Sequence, residues 1–244
     1  MSSQIDATKI HTFDNGIKVH RRHLLDIQLQ RYAKINLHEP EEETLFVKII
    51  EGIDSEHGVF LNIGAAIGYY VILARRLHPK LEIHAFEPLK EHRLYMQENL
   101  DLNEISMTGI NIHDVAISSR EGNAAFFQRS YGSSLIEEKY MKLSNPPTEL
   151  QTVVKVTMFD TFQKYLGKPI DFVQMDVQGF EFDVLSGSAQ SLAKRLVKTW
   201  MVGTHGKSIH NECKKLLRSA HYQIVYDDLH TKHQPDGILL ASVA

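Results

Sequence analysis

Apolar positions run almost unbroken from Gly58 to Ile63, predicting a buried strand. A short turn with Gly64 and Gly68 follows, then apolar positions at helical spacing from Ile67 to Leu77. A second apolar run, Leu81 to Phe86, ends in Glu87-Pro88. The rhythm continues along the chain. It predicts strands near 58–63, 81–86, 110–117, 170–176, 198–203, 221–227 and 237–243, and helices near 67–78, 90–102, 181–194 and 208–219. Strands alternating with helices imply an α/β fold with a mostly parallel sheet covered on both faces. The loop between the last two strands, Asp228 to Asp236, is too short for a helical crossover, so that pair is expected to be antiparallel.

Residues 1–56 lack this rhythm. Leu24 to Leu37 has partly helical spacing. Pro40 to Ile53 reads as a helix, with proline in its first turn and Glu41, Glu42 and Glu43 complementing the helix dipole. This predicts an N-terminal helical cap belonging to the same domain as residues 57–244. Residues 118–157 interrupt the alternation. Two short β patterns, Asn123–Gln128 and Thr152–Thr157, flank the polar stretch Arg129–Leu150, predicting an inserted hairpin and a functional loop.

Composition narrows the classes. Of 244 residues, 43% are hydrophobic and 23% charged, as in soluble globular proteins. A formal net charge of −3 gives no basic field for nucleic acid and argues only against nucleic acid as the default partner. No apolar run is long enough for a membrane span, and the first residues lack the apolar core of a signal peptide. One cysteine, Cys213, excludes an internal disulfide and any zinc site built on several cysteines. A cytoplasmic protein is expected; the oligomeric state is not legible.

Candidate chemistry gathers at strand ends. Gly64 and Gly68 allow a tight turn and a close backbone approach, and the helix after them offers free N–H groups. Asn62, Gly64, Ala65, Ala66 and Gly68 are therefore candidate cofactor contacts. Glu87, nineteen residues past Gly68, is placed to accept ribose hydroxyls. The turn has two glycines where a dinucleotide fingerprint has three. S-adenosylmethionine, which carries no pyrophosphate, tolerates this. Asp114 and Ala116, near the third strand's end, are candidates for the adenine, with a plain strand-end turn as the alternative.

Asp176 ends a buried strand just before Gly179. It is placed to contact the cofactor, accept a proton or ligate a metal, or simply to cap a helix. His205, at the end of the following strand, would neighbour it as a general base, unless it is an ordinary loop histidine. His205, His210, His230 and His233 with Asp176 and Glu181 could hold a divalent metal. No pair has the helical spacing of a zinc motif, so a solvated loop is expected and a metal site is the alternative. Gln234-Pro235-Asp236-Gly237 reads as a turn, with Asp236 a lesser candidate for the pocket border.

Several short pieces in order resemble the FkbM family of S-adenosylmethionine-dependent methyltransferases. They are His38–Glu42, Asn62–Tyr70, Phe86-Glu87-Pro88, Val115–Ile117 with Gly122, Gly132–Leu135, Met175–Glu181 and Val202–His205. The resemblance implies the class I methyltransferase sheet, Rossmann-like with seven strands and an antiparallel last strand. It also implies methylation of a hydroxyl on a small-molecule or glycan acceptor, a sugar or natural product, with metal-assisted O-methylation or a non-catalytic cofactor-binding module of the same fold as the alternatives. Three positions depart from the family's usual residues: Asn62 for Asp, Ala66 for Asn, and Gln178 for an acidic residue. Asn62 can hydrogen-bond but adds no charge for the cofactor's ammonium group.

Overall fold

A computed structural model describes residues 9–54, 56–127, 133–135 and 151–243. Most of the predicted loop at 129–150 lies outside them. At the centre is β3 (Val59–Ile63), whose five residues are all buried because the sheet is covered on both faces. Parallel neighbours on one side are β4 (Glu82–Phe86) and β5 (Ile110–His113). On the other side lie β10 (Ile170–Met175) and β11 (Val197–Thr204), also parallel. β12 (Gln223–Asp228) and β13 (Gly237–Ser242) close the sheet as an antiparallel pair, with β13 inserted beside β11. The order β12-β13-β11-β10-β3-β4-β5 is that of the class I methyltransferase sheet, as expected.

Side chains alternate between two cores. Phe60 and Phe172 pack against α2 (Pro40–Glu51), α3 (Tyr69–Leu77) and α4 (Lys90–Leu102). Val59, Leu61, Ile63 and Trp200 pack against α5 (Phe159–Leu166), α6 (Glu181–Ser186), α7 (Ala189–Ala193) and α8 (Lys207–Ser219). Among the described residues no helix is long and apolar enough to cross a membrane.

Four expectations are corrected. The strand expected over 110–117 is two: β5 stops at His113, and β6 (Ala116–Ser118) joins a second sheet in the order β6-β9-β7-β8. That sheet also holds β7 (Gly122–Phe127), β8 (Ser134–Leu135) and β9 (Gln151–Met158). The helix expected over 181–194 breaks at Gly187, where a Cβ would stand 2.1 Å from the Ser118 carbonyl oxygen. The N-terminal region is not purely helical: a hairpin of β1 (Ile10–Thr12) and β2 (Lys18–His20) precedes α1 (Asp26–Tyr32), which is shorter than its pattern suggested. Finally, α5 went unpredicted. Its start is held by Glu121 Oε1, which accepts from Met158 N–H at 2.9 Å and Thr161 Oγ1 at 2.6 Å.

Candidate active site

A cavity of about 710 Å³ opens over the carboxyl ends of β3, β4 and β10. This is the edge where open α/β sheets bind ligands, and the volume suits a small-molecule site. Asn62, Gly64, Ala65 and Ala66 form one wall, and Glu87, Ala116 and Asp176 also line the cavity.

The turn is built by close approach. Gly64 has φ of +83°, and a Cβ there would stand 1.9 Å from the Asp176 carbonyl oxygen, so no larger residue fits. Gly64 and Ala65 N–H groups both donate to the Phe86 carbonyl at 3.0 Å, tying the turn to the end of β4. Ala66, with φ of 45°, donates its N–H to Glu87 Oε2 at 3.0 Å, while Glu87 Oε1 accepts from Leu89 N–H at 2.9 Å. Glu87 is thus a buried carboxylate that shapes the turn as well as lining the cavity. Gly68 is placed differently from expectation. It lies behind the wall, where a Cβ would meet Met96 Cγ at 2.4 Å, so it permits α3 to pack on α4.

A buried polar relay runs beneath the turn. Asn62 Nδ2 donates to Gln174 Oε1, and Gln174 Nε2 donates to Glu42 Oε1 at 2.8 Å. Gln234 Oε1 accepts from the Glu42 N–H at 3.2 Å. Asn62 Oδ1 is buried and has no hydrogen-bond partner among the described residues. Burial and the nearby Glu39 raise the Glu42 pKa well above the carboxylate range. Glu39, Asp176 and Asp236 bring carboxylate oxygens within 4.8 Å of one another. Burial, then repulsion from Asp176 and Asp236, raises Glu39 to about 8. Burial likewise raises Asp176, to about 6, despite the nearby His205. The cluster therefore stores negative charge that a cation would relieve.

His205 and Asp176 are brought together as expected, with Nε2 and Oδ1 3.7 Å apart, but His205 does not line the cavity. Its Nδ1 faces Glu181 Oε1 at 2.9 Å and its Nε2 faces Asp236 Oδ1 at 3.1 Å. Burial favours the neutral ring, yet hydrogen bonds to Asp236 and Glu181 override it and raise the pKa to about 11. An imidazolium with both nitrogens engaged has no lone pair for an acceptor's proton, which corrects the general-base expectation. Asp114 is also corrected: its carboxylate is 63% exposed, 3.8 Å from Lys155 Nζ, and outside the cavity wall.

The sequence reading missed Glu39, Glu42, Gln174, Gln234 and His38. The signal present was polar residues inside apolar strands, Asn62 in β3 and Gln174 in β10. His38 lines the cavity, shares a hydrogen bond of 2.7 Å with Tyr32 Oη through Nδ1, and is kept neutral by burial, its pKa lowered to about 3.

Comparison with known proteins agrees with this geometry. A "methyltransferase 1" of Beauveria bassiana is 25% identical over 140 residues, 51% of this chain and 55% of its own length. The chain thus spans little more than half of that relative. "Methyltransferase sdnD" of Sordaria araneosa is 26% identical over 194 residues, covering 67% of this chain and 73% of the relative. The "2-O-methyltransferase NoeI" of Sinorhizobium fredii is 25% identical over 164 residues, covering 60% and 64%. The methyltransferase FkbM domain matches residues 62–224, from the Asn62 turn through α8 into β12, and the chain belongs to that family.

Proposed function

We propose that this chain transfers a methyl group from S-adenosylmethionine to a hydroxyl oxygen of a sugar or natural-product acceptor. The carrying observation is a single cavity wall that joins the Gly64–Ala66 turn and Glu87 to the Asp176 carboxylate. The activity for which the NoeI relative is named, 2-O-methylation, supports an oxygen acceptor.

The residues present fit the cofactor. Asn62 Oδ1 is a buried acceptor in want of a donor. Asp176, with Glu39 and Asp236 beside it, offers carboxylate oxygens for an ammonium group, and an arriving cation would favour release of the proton that burial keeps on Glu39. Glu87 keeps acceptor capacity for ribose hydroxyls beyond its two backbone bonds. Phe86, Ala116 and Ile117 supply apolar surface for a purine ring. When bound, the cofactor supplies an electrophilic methyl group on a sulfonium centre.

The chain's own contribution is positioning and proton removal. The cavity holds the acceptor hydroxyl in line and limits water. The hydroxyl proton passes to a carboxylate oxygen of Asp176, whose raised pKa makes it a stronger base than an ordinary aspartate. Gln178 Nε2 donates to its Oδ1 at 2.8 Å and holds that carboxylate in place, while the charge of His205, 3.7 Å away, favours its ionised form.

The test is transfer of a labelled methyl group to a panel of polyols and glycosides, with the product treated with mild alkali. An alkali-stable methyl ether is expected, and Asp176→Asn should slow its formation at least ~100-fold. An alkali-labile ester, or full activity of the variant, would contradict the reading.

A further inference from the structure

The cavity is electrically lopsided. Glu39, Asp176 and Asp236 cluster on one part of the wall, whereas Arg31 of α1 and Lys232 and His233 of the β12–β13 loop, which also carries Asp236, line another. Those three residues also line an adjoining recess of about 180 Å³, together with Lys34, Ile35, Leu37 and Pro40. Three permanent cations around one small recess stand out in a chain of net charge −3.

The recess is built. Glu41 Oε1 accepts from Lys232 N–H at 3.1 Å and His233 N–H at 3.0 Å, fixing the loop to the start of α2. Arg31 donates Nη2 to the His38 carbonyl at 3.0 Å, and its guanidinium lies 5.3 Å from the Tyr32 ring centroid. Among the described residues Arg31, Lys34 and Lys232 make no ion pair, and the Glu41 carboxylate that meets the loop beside the recess is engaged by backbone N–H groups. Guanidinium and ammonium groups left in this state in a concavity are suited to an oxyanion. S-adenosylmethionine is mixed in charge: its ammonium and sulfonium are cationic and belong with the carboxylates, while its one carboxylate is an oxyanion, so titrations with and without the cofactor tell that carboxylate from an acceptor's oxyanion.

We infer that the methyl acceptor carries an oxyanion, such as a phosphate, sulfate or carboxylate, that seats in this recess while its hydroxyl points to Asp176. The inference rests on the methyl-transfer reading for the word acceptor, though not for the anion site itself.

The test is a backbone amide NMR titration of the intact chain with inorganic phosphate, glucose 6-phosphate and glucose, each repeated with S-adenosylmethionine present. Glucose 6-phosphate should give saturable shifts at residues 31–34 and 232–233 and bind roughly tenfold tighter than phosphate or glucose alone. Arg31→Gln with Lys232→Gln should weaken it by at least about tenfold, while S-adenosylmethionine shifts persist and report a folded protein. Absent shifts, or shifts untouched by the double substitution, would overturn the anion site. Phosphate binding as tightly as glucose 6-phosphate would overturn the claim that the anion belongs to an acceptor. Loss of the S-adenosylmethionine response alone would instead count against methyl transfer and leave the recess standing.

Discussion

Asp176 and His205 carry different work than their spacing suggests. Each sits where the strand pattern predicts, but the imidazole is sandwiched by carboxylates and has become their counter-ion. Glu181 is fully buried, so removing the ring leaves it without a counter-ion, held only by the Gly179 and Val177 N–H groups at 3.0 and 3.3 Å. His205→Ala should therefore cost about 3 kcal/mol of stability, measured by denaturant unfolding; an unchanged midpoint would show that the ring does not compensate the cluster. Glu39 has the opposite need, a cation from outside. Glu39→Gln should weaken S-adenosylhomocysteine roughly tenfold while sparing 5′-methylthioadenosine, which has no ammonium group. Equal weakening of both would assign Glu39 a structural role. Gly64 was legible in the sequence because its constraint is local. Glu42 was not, since its partners Gln174 and Gln234 lie 132 and 192 residues away. On its own helix it reads as one more first-turn carboxylate.

At the scale of elements, the alternation predicted the central sheet well because burial on both faces leaves near-continuous apolar runs. It failed where an element changes sheet. Nothing in the apolar content of 110–117 marks the point where β6 leaves for β9, and β6 is what carries Ala116 and Ile117 to the cavity. Nor does helical spacing reveal that α6 and α7 must part at Gly187 to let the Ser118 backbone pass. Gly187→Ala should push β6 away and lower stability by ~2 kcal/mol, read by thermal unfolding. A neutral effect would mean that the strand yields without cost.

The whole molecule should respond to pH through this cluster. The native protein holds a proton on Glu39 up to about pH 8 and one on His205 up to about pH 11, the raised pKa values of the two groups, and at pH 7 and above the unfolded chain has released both. Stability contributed by His205 is complete below its unfolded pKa and is lost as pH rises toward 11. Ionising Glu39 in the native state removes further stability as pH passes through 8. The thermal midpoint should therefore fall from pH 7 to pH 9, and fall less in Glu39→Gln. A flat or rising midpoint would contradict the charges assigned here. Ligand cations relieve the same repulsion, which links stability to the function of the cavity.

The most direct test is calorimetric titration with S-adenosylmethionine, NAD as control and Glu87→Ala as second protein. The account predicts one saturable site for S-adenosylmethionine, none for NAD, and clear weakening by the substitution. No binding of S-adenosylmethionine to the folded wild-type chain would contradict it.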